Sequence, residues 1–121
     1  MFIQKVNNIL DSVIAKEGQS MVLARVSAWK FKPNQRKTGF DMLEESVSEL
    51  VRQSEGFRGG LVLLSRDDPN LGIIITLWNS EESEKNFEAD VLKVAAQKLE
   101  PFVVGPPEVT HHTVFTAELK Q

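Results

Sequence analysis

Two histidines, His111 and His112, stand side by side near one end of a 121-residue chain that has no cysteine. Histidine is the side chain whose ordinary titration falls near neutrality, so either one could serve as a general base. Neighbours on a strand point to opposite faces, so the pair cannot grip one metal ion, and at most one of them enters any given pocket. No metal site is expected. Arg25 stands in a mostly apolar strand and suits an anionic substrate group or a developing oxyanion; an ion pair with an acidic residue across the sheet or an interface is the competing role. Trp78 suits the wall of an aromatic pocket or a core position at the start of a helix. Trp29 and Phe31 share one strand face and suit a pocket lining or a subunit contact. The candidate catalytic residues are therefore His111, His112 and Arg25, and the candidate substrate-binding residues are Trp78, Trp29 and Phe31.

Other chemistry finds no support in the residues. Gly59-Gly60 is followed by neither a dinucleotide pattern nor a Gly-Lys-Ser/Thr, so it is no phosphate loop, and no serine lies in a nucleophile elbow. Glu81, Glu82 and Glu84 are accounted for by the positive end of a helix dipole. The basic rim Lys30, Lys32, Arg36 and Lys37 reads as a solvated loop. Net charge is −3 with both signs interspersed, so no broad positive field exists to hold a phosphate backbone, and nucleic acid is not an expected partner. The opening residues are broken by Gln4, Lys5, Asn7 and Asn8 and do not read as an export signal. No run approaches the length of a membrane span. A soluble, cytoplasmic protein is expected, consistent with the missing cysteines.

The elements that must position these residues are legible from hydrophobic period. Phe2, Val6, Ile9, Leu10, Val13 and Ile14 recur at helical spacing and Gly18 stops the pattern, predicting an amphipathic helix within residues 1–20. Residues 21–121 form the second unit, a single domain with enough chain to bury about two thirds of its unfolded surface. Met21 to Lys32 predicts a long strand ended by Pro33. Phe40, Leu43, Val47 and Leu50 predict a second helix, with Gly56 placed as its C-cap. Leu61–Leu64 and Leu71–Trp78 are apolar runs joined by Ser65–Asn70, a hairpin whose two faces are both expected to be covered. Asn79 with Glu82 suggests a capping box for a third helix whose stripe is Phe87, Val91, Ala95 and Leu99. Pro101, Gly105, Pro106 and Pro107 break the chain, and Val109–Leu119 predicts a last strand.

After the first helix the order is β-α-β-β-α-β, the split pattern of an α+β, ferredoxin-like antiparallel sheet. Right-handed crossovers put both helices on one side and leave the other bare. Leu23, Trp29 and Phe31 are expected to enlarge that bare face. Burying six to eight such side chains against a second copy would gain on the order of 10 kcal/mol, comparable to the cost of association, so a sheet-to-sheet homodimer is expected. The alternative cover is the amphipathic first helix.

Gly56-Phe57-Arg58-Gly59 before a strand, the Pro-containing hairpin, and Trp78-Asn79-Ser80-Glu81-Glu82 opening a helix resemble the antibiotic biosynthesis monooxygenase family of dimeric α+β barrels, over roughly residues 21–115. The resemblance implies a homodimeric barrel that binds a small apolar or aromatic molecule between sheet and helices. It implies either cofactor-independent oxygenation of a quinol-like ring or a non-catalytic binding or scaffold role. No cofactor is expected. Where haem-degrading relatives carry an iron-binding histidine this chain has Gln97, and their first-strand Asn falls near Arg25 or Val26. Where an aromatic-oxidising branch carries Asn and Tyr it has Ile74 and Glu84; Trp78 is retained.

Overall fold

The computed structural model describes residues 21–118; the helix expected within residues 1–20 lies outside them. Strand β1 (Leu23–Lys30) is followed by helices α1 (Arg36–Ser46) and α2 (Ser48–Arg52), then by the hairpin β2 (Phe57–Leu64) and β3 (Leu71–Trp78). Helices α3 (Glu81–Ala89) and α4 (Val91–Leu99), a single 3-10 turn (Glu100–Phe102) and β4 (Glu108–Thr113) complete the order. The described strands form one antiparallel sheet in the order β2-β3-β1-β4. This is the ferredoxin-like α+β arrangement that the element order predicts.

Two expected helices are each divided. The stripe through Phe40, Leu43 and Val47 breaks at Val47, where the backbone leaves helical geometry between α1 and α2. The stripe from Phe87 to Leu99 breaks at Asp90 between α3 and α4. The cap of α3 is Ser80 rather than Asn79: Ser83 N–H donates to Ser80 Oγ at 3.1 Å, while Asn79 Oδ1 accepts from Ser83 Oγ at 3.2 Å. Gly56 lies beyond the helix, in the turn into β2. Its φ is +82°, and a side chain there would collide with Ser83 and Asn79. The final strand stops at Thr113, short of the expected span.

Alternation along β1 sends Leu23, Arg25, Ser27 and Trp29 to one face and Ala24, Val26 and Ala28 to the other. The helices cover the first of these. Trp29, Phe31, Leu99 and Val103 form a buried cluster, packed against Phe40, Met42 and Leu43 of α1 and Ile74 of β3. Trp29 and Phe31 therefore sit beneath the helices and do not enlarge the bare face. The opposite face carries a smaller cluster of Val22, Ala24 and Leu77 with Ile75 and Val114, and no helical residue joins it.

The hairpin is unequal. Thr76, Leu77 and Trp78 of β3 are buried, because that strand has neighbours on both sides. On the edge strand β2, Leu61 and Leu63 are 38% and 43% exposed on the bare face. Val62 and Leu64 are 54% exposed on the other. The described residues of one chain thus leave residues 61–64 open on both sides, and the expected cover is not supplied from within them.

Candidate functional site

The register of β1 and β4 sets Arg25 directly opposite His111, on the helix-covered face. Helix α3 crosses above the pair and lowers Glu88 between them. Arg25 Nε donates to Glu88 Oε2 at 2.8 Å, and His111 Nε2 lies 3.1 Å from the same oxygen. Arg25 is only 4% exposed, and its guanidinium lies 5.8 Å from the centroid of the Phe87 ring. A guanidinium so buried requires a counter-charge, and Glu88 provides it. Burial works to raise the Glu88 carboxyl, but the hydrogen bonds from Arg25 and His111 outweigh it and hold the group below the ordinary glutamate value.

One turn earlier on α3, Glu84 behaves in the opposite way. It is 6% exposed, and its Oε2 is buried with no hydrogen-bond partner. Burial pushes its carboxyl up; His111 and Arg25 oppose the rise, while Glu88 and Glu81 add to it. Two carboxyls on one helix face are thus driven apart by their surroundings, the condition under which one can hold a proton while the other holds a charge.

An open cleft of about 420 Å³ borders this group, between α3 and the strands β1 and β4. Glu81, Glu84, Lys85 and Glu88 form its helical wall, and Leu23, His111 and Thr113 are among the strand residues opposite. His112 also borders the cleft, but it pairs with Ala24 on the other face of the sheet, and its Nε2 lies 2.7 Å from Thr110 Oγ1. The two histidines therefore lie on opposite faces, as strand alternation requires, but both border the cleft because it opens at the end of β4, so the expectation that only one would reach a given pocket does not hold. Among the described residues, no group of three or more His, Asp or Glu side chains is placed to hold a metal ion.

The aromatic residues singled out in the sequence occupy the core. Trp78 is fully buried; its Nε1–H donates to Thr76 Oγ1 at 2.9 Å, and its ring packs on Phe57 and Phe87. Phe87 contacts Arg25 in turn, so Trp78 stands one layer behind the cleft. Trp29 donates its Nε1–H to Ser27 Oγ at 2.9 Å, and Phe31 meets Phe40 edge to face. The structure therefore joins Arg25 to His111 through Glu88; Glu88 and His111 line the cleft, while Arg25, Trp78, Trp29 and Phe31 lie outside its lining. Sequence reasoning missed Glu84 and Glu88. Their four-residue spacing was the available signal, since it puts both on one face of a helix.

Residues 21–98 match the family model described as antibiotic biosynthesis monooxygenase. The chain belongs to that family. Solved structures of the same fold include a monooxygenase from the gene ActVA-Orf6 of Streptomyces coelicolor in complex with nanaomycin D. It is 23% identical with a TM-score of 0.70, over 84% of this chain and 94% of that one. A protein of unknown function from Nitrosomonas europaea is similar at 16% identity and a TM-score of 0.69, over 86% and 99%. A conserved protein from Methanosarcina mazei is similar at 18% identity and a TM-score of 0.65, over 76% and 91%. These likenesses establish the fold. None of the curated proteins matches the sequence. Among the described residues of this monooxygenase-family chain, no helix is long and apolar enough to cross a membrane.

Proposed function

We propose that this protein is a cofactor-independent monooxygenase of a small aromatic, quinol-like substrate, acting at the cleft between α3 and the β1–β4 pair. The observation that carries the reading is the chain Arg25–Glu88–His111, whose last two members line that cleft while Arg25 is buried behind them. Arg25 keeps Glu88 ionised, and Glu88 accepts the Nε2–H of His111, which leaves Nδ1 as the ring nitrogen with a lone pair. That nitrogen takes the phenolic proton, and Glu88 stabilises the imidazolium that forms. The phenolate is electron-rich enough to react with dioxygen. One oxygen atom enters the ring and the other leaves as water. Hydroxylation of the ring and oxidation of the quinol to the quinone each supply two electrons, so no external reductant is needed.

The working unit of this reading is a homodimer in the cytoplasm. Exposure of Leu61 and Leu63 on a sheet face without helices supports a second copy as its cover. The second reading is a non-catalytic module that binds a small molecule. It is favoured by the burial of Trp78, Trp29 and Phe31 in the core rather than in a pocket wall. Oxygen uptake with a panel of quinols distinguishes the two. His111→Ala is expected to lower turnover by roughly 10²- to 10⁴-fold, the usual contribution of a general base. Unchanged turnover in that variant removes the mechanism, and no uptake with any quinol favours the binding module.

A further inference from the structure

We infer that residues 114–118 form an arm that lies along the outer edge of β2 in a second copy of this chain, with Phe115 seated on the partner's Val62 and Leu64. The inference rests on the homodimer of the proposed function and goes beyond it. A second sheet laid on the bare face covers Leu61 and Leu63, but Val62 and Leu64 are on the opposite face, both more than half exposed.

Two segments of the described chain have strand character and no strand beside them. The first is the outer edge of β2, which is hydrogen-bonded to β3 alone and runs from Gly59 to Leu64 without a charge or a proline. Soluble proteins ordinarily blunt an edge strand with one or the other, because an apolar edge recruits another strand. The second follows β4. The ladder between β1 and β4 closes with Val114 N–H donating to Val22 O at 2.8 Å. Val114-Phe115-Thr116-Ala117 keeps the β-branched and aromatic content of a strand, yet residues 115–118 make no backbone hydrogen bond among the described residues. Phe115 is 98% exposed, although an aromatic ring of that size gains strongly from leaving water.

The two segments fit each other only between copies. Within one chain β3 and β1 stand between β2 and β4, a separation of about 14 Å. The directions are compatible: β2 and β4 run oppositely, so a two-fold axis along the strands sets each arm antiparallel to the partner's β2, and the exchange closes at two copies. Alternation then assigns the faces. Continued from β4, Phe115 and Ala117 fall on the helix-covered face with His111, and Val114 and Thr116 on the bare one. Phe115 thus reaches the partner's Val62 and Leu64, which share that face. Val114, already packed against the bare-face cluster, extends it toward the partner's Leu61 and Leu63. Strand addition covers both sides of the edge at once.

The absence of cysteine permits a direct test. Phe115→Cys in one preparation and Val62→Cys or Leu64→Cys in another each place a single thiol. Mixing and oxidation should give a covalent dimer of Phe115→Cys with at least one of the other two, and none from any preparation alone. Phe115→Ser should leave the circular dichroism unchanged, since the ring faces solvent in a single copy. Its dimer dissociation constant in sedimentation should rise roughly 10²- to 10³-fold, two anchors being lost per dimer. Addition of Phe115→Ser to Val62→Cys should also speed alkylation of the thiol by iodoacetamide. No mixed cross-link, a dissociation constant within about threefold of the wild type, or alkylation indifferent to Phe115→Ser overturns the inference; the last result assigns the cover to another segment. If Phe115→Ser is neutral while Leu61→Glu with Leu63→Glu gives a monomer, the sheet-to-sheet dimer stands and the arm falls. If the wild type is a monomer at micromolar concentration, both fall.

Discussion

Replacing Glu88 with alanine tests whether Arg25 depends on it. Arg25 is almost wholly inside the protein, on one of the two central strands, its guanidinium over the Phe87 ring, and the only ion pair it makes among the described residues is with Glu88. Removing one member of a buried pair typically costs 3–5 kcal/mol because the remaining charge stays buried without compensation. Glu88 itself is 29% exposed on its side chain, so water reaches part of the pair and the expected loss lies at the lower end, about 3 kcal/mol. Adding Arg25→Met to Glu88→Ala replaces the stranded charge with an apolar side chain of similar length. About 2 kcal/mol should return, as when buried ion pairs elsewhere are exchanged for hydrophobic residues. Urea unfolding followed by circular dichroism at one fixed protein concentration reads both changes from the midpoint at constant slope. A loss under about 1 kcal/mol for Glu88→Ala would refute the claim that Arg25 requires its partner. So would a double variant less stable than the single one.

The two helix carboxyls should also leave opposite marks on acid stability. Glu88 is held low in the fold, so its contribution is present above the ordinary glutamate pKa and is lost as pH falls through its folded value; Glu88→Gln should flatten the acid limb of a plot of melting temperature against pH. Glu84 is raised, so its contribution is present below the ordinary value and is lost as pH rises through the folded one; Glu84→Gln should remove that decline. Leu61→Glu with Leu63→Glu puts two charges on the helix-free face of the edge strand, and sedimentation should change from dimer to monomer at micromolar concentration. A wild-type monomer there would contradict the proposed assembly.

Local pattern carried most of the architecture. The alternation from Leu23 to Trp29, the apolar hairpin and the helical stripes through Phe40 and Phe87 identify the described strands and where the helices fall, because side-chain period follows backbone geometry residue by residue. Helix breaks at Val47 and Asp90 were not legible, since apolar residues continue at helical spacing across both. The cap expected at Asn79 lies one residue later, at Ser80, because the backbone geometry at the helix start decides which of two adjacent polar side chains accepts the Ser83 N–H.

Which side of β1 the helices cover is a different kind of fact. Period alone groups Arg25 with Trp29, but only the docking of α1 and α4 turns that group inward and buries it. Pairing of β1 with β4 then sets His111 opposite Arg25, residues far apart in the chain, and the seating of α3 brings Glu88 to both and Glu84 into burial. The amino-acid order therefore determined the elements and their faces, which depend on neighbours along the chain. The charges that meet, and the carboxyl that loses its water, were decided by packing between distant segments, which no local spacing encodes.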